Sequence, residues 1–118
     1  ASYVAARREM DRLRRAIGEV FATVDLLVTP ATPVPAVTVE GADTLDTRPV
    51  GGTSLSLRNT APFNNFGIPA ISIPCGFSAS GMPIGMQISG SHWGEQRVLQ
   101  LAYAYERETQ WHTRRPAV

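Results

Sequence analysis

The chain contains 118 residues, of which 43% are hydrophobic and 18% are charged, and its formal net charge is +1 at pH 7. These values predict a single globular domain and exclude a chain that is disordered throughout. A net charge this close to zero provides no bulk field for attracting nucleic acid or an anionic membrane, and no apolar run reaches the length of a membrane span.

Arginine supplies all eleven basic side chains, and lysine is absent. Because arginine stays protonated near neutral pH, this chain by itself has neither a Schiff-base residue nor a lysine general base, and it lacks the lysine of a P-loop. Cys75 is the only cysteine, which rules out an internal disulfide and gives no support to an oxidising compartment. We therefore predict a cytoplasmic location.

Residues 4–24 are predicted to form one long amphipathic helix. Its five arginines are interleaved with Glu9, Asp11 and Glu19, a mixed pattern typical of a solvated face. A nucleic-acid surface is the alternative interpretation of these arginines. The apolar positions recur at intervals of three and four and predict the buried stripe, which consists of Met10, Leu13, Ile17, Val20, Phe21 and Val24.

The pattern changes at Asp25, where residues 25–29 predict a short buried strand that Pro30 ends. Residues 30–53 contain several prolines and glycines and predict a long surface connection. A connection of this length is typical of a mobile or substrate-facing loop, and an irregular structural loop is the alternative. Residues 54–64 predict a short helix or loop that a serine could cap.

A pair of strands is predicted between residues 70 and 89. The uncharged runs 70–75 and 84–89 are bounded by glycine and proline, which favours strands covered on both faces. The connection between them is too short for a helical crossover, so the strands should be antiparallel. Pro74 lies inside the first run and predicts that this strand bends, ends or bulges there.

Residues 95–109 predict a second amphipathic helix, with Glu95 in its first turn, where a negative charge suits the helix dipole. Together, the predicted elements indicate an α/β fold: a mixed sheet with flanking helices. The buried stripe of this helix is expected to contain Val98, Leu101, Ala102 and Tyr105.

No residue of this chain is predicted to bind a metal or a cofactor. His92 and His112 lack the short spacing of a metal-binding pair and have no clustered carboxylates nearby, so surface or hydrogen-bonded histidines are expected. Cys75 lies in an apolar strand end and is interpreted as a buried, inert thiol. No G-x-S-x-G sequence is present, so the chain has no nucleophile elbow.

Arg58 lies just ahead of the apolar strand pair. A charged group in that place needs a carboxylate, a carbonyl or a ligand, because a buried charge without a partner is costly. On physical grounds alone it is interpreted as a structural ion-pair or backbone-binding residue, and a ligand site is the alternative.

The central sequence carries a resemblance. The run RNTAPFN, followed by GIPAISIPCG and then GMPIGMQISG, resembles the C-terminal region of the amidase signature family of amide hydrolases. Agreement extends to DLLVTP before this stretch and to WHTRRP after it. The resemblance implies that residues 1–118 form a single C-terminal segment of a longer amidase, and the helical pattern starting directly after Ala1 is consistent with that expectation.

The family resemblance implies hydrolysis of a carboxylic amide to an acid and ammonia or an amine. In this family a serine nucleophile is activated by a second serine and a lysine, and the reaction passes through an acyl-enzyme intermediate. None of these three residues can be assigned in this chain, so no catalytic residue is predicted here. They are expected upstream, and this chain alone is expected to be inactive.

The resemblance also implies which residues face the substrate. The family segment ahead of the residue matching Asn64 lines the pocket, which by position predicts Ser54, Leu57, Arg58 and Ala61 as substrate-binding residues. Family members that act on glutamine carry an acidic residue where this chain has Leu57. This difference argues against glutamine and favours a less polar amide.

The implied partners are the N-terminal part of the same enzyme and a small-molecule amide, with a homo-oligomer as a further expectation and neither nucleic acid nor membrane. The alternative function is a non-catalytic α/β binding or assembly module. Four strand residues underlie a stability hypothesis. If each lost cover on one face, the loss in the free energy of unfolding would be roughly 6 to 12 kcal/mol, and the isolated chain should self-associate or be held by the missing part of the enzyme. These residues are Ile71, Ile73, Met86 and Ile88.

Overall fold

The computed structural model describes residues 2–39, 41 and 55–115 of the chain. Helices and strands both occur along the chain, and short 3-10 turns lie at Leu55–Leu57 and Trp111–Thr113. The predicted α/β class is therefore confirmed. In chain order the elements are α1 (Ser2–Val20), β1 (Leu26–Pro30), α2 (Ala61–Phe66), β2 (Ala70–Phe77), β3 (Pro83–Gly90) and α3 (Glu95–Glu108).

The three strands form one sheet in the order β1-β3-β2. Ile88 of β3 lies at its centre, opposite Val28 of β1 on one side and Ile71 of β2 on the other. Both pairs are antiparallel, as the short connection between β2 and β3 predicts. Among the described strands no parallel pair occurs, so the mixed character expected of the sheet is not seen in this part of the chain.

Two prolines lie on the outer strands, where a missing N–H leaves no central ladder bond unmade. The register of β2 with β3 shifts between Pro74 and Gly76, which is the irregularity predicted from Pro74. The strand then continues to Phe77, beyond the predicted end at Cys75. Pro30 is the last residue of β1 and was expected to lie just outside it.

Helix α3 covers one face of the sheet and builds the core. Ile73, Ile88, Val98 and Ala102 are all buried there, and the alternation along each strand brings the two isoleucines to the same face. The residues that pack against this core while remaining partly exposed are Leu26, Ile71, Met86 and Tyr105.

The residues on the opposite face of the sheet are smaller and more polar: Ser72, Gly85, Gln87 and Ser89. Gln87 and Ser89 are buried, whereas Ser72 is exposed. The expectation that both strands are covered on both faces is therefore wrong for β2 in this structure. The reason is that α1 packs against α2 rather than across the sheet.

The four strand residues of the stability hypothesis are better covered than it assumed. Ile73 and Ile88 are buried under α3, and Ile71 and Met86 are partly buried against the same core. The area available to self-association through these side chains is accordingly smaller than predicted.

Helix α1 spans Ser2–Val20 and thus ends four residues before the predicted limit at Val24. Thr23 stops it, since both the N–H and the hydroxyl of Thr23 donate to the carbonyl of Val20, at 3.0 and 2.8 Å. Of the predicted stripe only Ile17 is buried, while Val20 and Val24 are exposed. The stripe was overestimated because the short α2 covers little of α1.

Two glycines are expected to respond to alanine with opposite signs. Gly67 ends α2 with φ +71°, a left-handed conformation that a Cβ disfavours, so Gly67→Ala should lower the free energy of unfolding by about 1 kcal/mol. Gly18 lies within α1 with open space around it, so Gly18→Ala should raise that free energy by up to about 1 kcal/mol. Urea denaturation measures both free energies of unfolding. Equal effects of the two substitutions would contradict either the left-handed conformation of Gly67 or the open space at Gly18.

Candidate functional site

The segment ahead of α2 is attached to the sheet through Asn59 and Gln87. Asn59 Nδ2 donates to the carbonyl of Pro30 at 3.0 Å. Gln87 Nε2 in turn donates to the Asn59 carbonyl at 3.4 Å and to Thr29 Oγ1 at 3.3 Å. Gln87 is buried, so these bonds satisfy a side-chain amide that water cannot reach. The end of β1 and the segment preceding α2 are therefore held in a fixed relation.

The other end of α2 is held by side chains from two distant elements. Arg14 Nε, from α1, donates to the Asn65 carbonyl at 2.9 Å. His92 Nε2 lies 3.1 Å from the Phe66 carbonyl and, because a carbonyl only accepts, it must carry the proton. These bonds satisfy carbonyls that a helix end leaves without partners. His92 is thus a hydrogen-bonded surface histidine, as expected.

A cavity of about 360 Å³ opens beside the polar face of the sheet. Gly85 and Ser72 form its floor, and a Cβ added at Gly85 would lie 2.9 Å from Ser72 Oγ and 3.0 Å from the Ala31 Cβ. No charged side chain is among the described residues that line the cavity. The lining residues are Ala31, Thr32, Val34, Pro35, Ala36, Val37, Ser56, Ser72, Pro83 and Gly85.

The three predicted substrate-binding residues that the structure describes, Leu57, Arg58 and Ala61, do not line this cavity. Ser54 lies outside the described residues, as do residues 42–53 of the predicted long loop. Leu57 is 55% exposed, Arg58 is exposed, and Ala61 at the start of α2 is half-buried. Their neighbour Ser56 does border the cavity. Their role in substrate binding stays a prediction.

Arg58 makes no ion pair with any described residue. Arg58 lies in an exposed turn of the described chain, where water solvates its charge. Both interpretations, a structural ion-pair or backbone-binding residue and a ligand site, stay predictions.

Sequence reasoning missed Ser56, Ser72 and Gly85 as lining residues. The alternation of β2 and β3 contained part of the signal, because it brings Ser72 and Gly85 to one face of the sheet. No sequence pattern, however, indicated that the residues after β1 fold over that face.

Among the described residues, no charged, histidine or cysteine side chain lines the cavity. No group of three or more histidine, cysteine, aspartate or glutamate side chains in the described residues could hold a metal ion. On the exposed face of α1, the hydrogen bond from Arg12 lowers the pKa of the Glu9 carboxyl. Cys75 is half-buried, with its Sγ 3.5 Å from the Ile84 carbonyl. No described helix is long and apolar enough to cross a membrane.

Replacing Gln87 by leucine tests whether the hydrogen bonds of its side-chain amide stabilise the fold, apart from the packing of the side chain. The side chain keeps a similar size, but the Asn59 carbonyl and Thr29 Oγ1 both lose their donor, so we expect the free energy of unfolding to fall by about 1 kcal/mol. Gln100→Leu, at an exposed position of α3, is the control and should change it little. Equal values for the two variants in urea denaturation would rule out the anchoring role.

A sheet flanked by helices and bordered by a cavity with no charged residue in its described lining is typical of a small-molecule enzyme or binding domain. Comparison with known proteins narrows this class. A family model described as Amidase matches residues 1–99. The chain therefore belongs to the amidase family.

The curated relatives are much longer than this chain. It is 41% identical over 118 residues to a glutamyl-tRNA(Gln) amidotransferase subunit from a Synechococcus species, covering 100% of this chain and 24% of that protein. The corresponding protein from a Geobacter species is 42% identical over 115 residues, covering 98% and 23%. The chain thus spans about a quarter of the length of these relatives.

Solved structures agree with the family assignment. A bacterial aryl acylamidase of the amidase signature family matches with a TM-score of 0.73 and 25% identity, over 97% of this chain and 25% of that one. The 6-aminohexanoate cyclic dimer hydrolase, complexed with substrate, matches with a TM-score of 0.70 and 30% identity, over 93% and 24%. The predicted resemblance to amidase signature enzymes is confirmed.

Proposed function

We propose that this chain is the C-terminal segment of an amidase, which hydrolyses a carboxylic amide to an acid and ammonia or an amine. The family match over residues 1–99 supports the reaction class. The observation that carries the proposal for this chain is the uncharged cavity beside the sheet. The described lining carries no charge, which favours an apolar acyl or aryl group against this wall, since a charged substrate group there would lose its hydration without gaining a partner.

The bond-breaking residues are proposed to come from the remainder of the enzyme. A serine nucleophile needs a base within hydrogen-bond reach, and the lysine expected to activate it through a second serine has no counterpart in a chain without lysine. This segment contributes one pocket wall, which orients the amide toward the nucleophile. The acyl-enzyme would then be released by water, with transfer to another amine as a competing outcome.

Residues in and next to the 3-10 turn Leu55–Leu57 are proposed to complete this wall of the pocket. Leu57 and Arg58 are exposed, which leaves both side chains available to a substrate. Ser54 and Ala61 are assigned to the same role by the family resemblance. An apolar side chain at Leu57, rather than an acidic one, supports a less polar amide than glutamine.

Several apolar side chains of the last third of the chain remain exposed. Trp93 is 92% exposed, and Tyr103 and Leu99 on α3 are 63% and 57% exposed. Water-exposed apolar side chains grouped on one helix support contact with further protein. We assign that contact to the remainder of the enzyme, with a homo-oligomer in the cytoplasm as the assembled state and no role for nucleic acid or membrane.

The experiment is an amidase assay on the protein that carries this chain, comparing aryl or alkyl amides with glutamine. Val37 lines the cavity, so Val37→Asp should lower kcat/KM for the apolar amide at least tenfold. Val39→Asp is the matched control, because Val39 is 85% exposed and does not line the cavity. Absence of turnover with every amide would overturn the proposed function. Equal rates for the two variants would overturn only the assignment of the cavity.

A further inference from the structure

A second cleft, of about 740 Å³, lies at the tip of the hairpin formed by β2 and β3. The 3-10 turn Trp111–Thr113 closes its other side and contacts β2. The proposed reaction makes no use of this cleft. Its lining residues are Pro74, Phe77, Ser78, Ala79, Gly81, Met82, Pro83, Trp111, His112, Arg114 and Arg115.

The Phe77 ring contacts two side chains at this cleft, Trp111 and Arg114. The rings of Phe77 and Trp111 have centroids 6.1 Å apart and are tilted by 53°. Arg114 Cζ lies 4.7 Å from the centroid of the Phe77 ring. The attraction between a guanidinium and a ring does not use up the N–H donors of the guanidinium. The contact with Phe77 therefore holds Arg114 where it can donate to an anion.

The permanent charges of the described residues that line the cleft have one sign. Arg114 and Arg115 line it beside His112, and no acidic residue is among the described lining side chains. The two ion pairs within the described residues, Glu9 with Arg12 and Asp25 with Arg97, do not involve these three side chains. Glu108, the nearest acidic residue in sequence, lines a separate depression that it shares with Arg114.

The rest of the lining is apolar, with Met82 and two prolines beside the aromatic rings. An inorganic ion alone would leave this surface without a partner, and a neutral apolar molecule would leave the guanidinium donors without one. We propose that the cleft binds a small organic anion, with a carboxylate or phosphate group against Arg114 and Arg115 and an apolar body against Trp111 and Met82. This site is distinct from the cavity assigned to the amide, although Pro83 borders both.

Isothermal titration of the protein that carries this chain tests the proposal. The probe is phenyl phosphate, and its two halves, inorganic phosphate and phenol, are titrated separately. We expect saturable binding of phenyl phosphate that is at least tenfold tighter than binding of either half, because only the whole molecule meets both parts of the cleft. Phenylacetate, titrated in parallel, shows whether the site prefers a carboxylate to a phosphate.

Four variants locate the binding. Arg114→Gln and Arg115→Gln should each weaken phenyl phosphate at least tenfold, whereas Arg7→Gln, at an exposed position of α1, should leave it unchanged. Absence of saturable binding, or equal affinity in Arg114→Gln and Arg7→Gln, would overturn the proposal. Val37→Asp should also leave the affinity unchanged; a loss there would place the anion in the amide cavity and overturn the separate site.

Discussion

Replacing Ile88 by alanine is expected to lower the free energy of unfolding by about 2 to 5 kcal/mol, the largest effect of any substitution considered. Ile88 is fully buried on the central strand, between the core residues Ile73, Val98 and Ala102. Truncation removes apolar contacts and leaves a cavity that strands paired on both sides can close only partly. Urea denaturation followed by circular dichroism measures the change.

Ile84→Ala is the matched control for this substitution. It makes the same chemical change on the same strand, but Ile84 is 37% exposed near the hairpin end and is not part of the core. Its effect should be well below that of Ile88→Ala. Comparable losses for the two variants would show that α3 does not cover the sheet as described.

The second large effect is expected at Gly90, where the end of β3 approaches α3. A Cβ at this position would lie 2.8 Å from Val98 Cγ2 and 3.3 Å from the carbonyl of Gly94. Real Cβ atoms do not make a contact as short as 2.8 Å, so in Gly90→Ala either the Val98 side chain or the backbone around it must shift. We expect a loss of about 1 to 3 kcal/mol in the free energy of unfolding.

Two further variants test the cause of that loss. Gly76→Ala adds the same methyl group on β2, where no atom lies within 4 Å, and should leave stability unchanged or slightly higher. In a Val98→Ala background the additional cost of Gly90→Ala should shrink, because its nearest contact has been removed. A loss that persists in full in that background would point to backbone strain instead of contact with Val98.

Local patterns were sufficient for much of the fold. The short connection between β2 and β3 predicted the antiparallel hairpin, and Pro74 predicted the bulge, because both depend only on neighbours in sequence. Val98 and Ala102 were correctly predicted as buried, whereas Leu101 is 36% exposed. The helical period defines a stripe, but the width of that stripe depends on how far the sheet extends beneath the helix.

The candidate site was harder to predict because it depends on contacts between distant segments. The residues after β1 meet Ser72 and Gly85 only once the sheet has formed. The link from Gln87 to Asn59 likewise joins residues far apart in sequence. Composition did exclude lysine chemistry, and the family motifs indicated the reaction class, but neither located the cavity.

The anchoring of α2 has a consequence for how cooperatively the chain unfolds. Its last carbonyls accept from Arg14 near the start of the chain and from His92 just before α3. The six residues of α2 therefore link α1 to the turn before α3, and α1 should not unfold as an independent unit. Amide hydrogens in α1 and in the turn before α3 should consequently be protected from exchange to a similar degree.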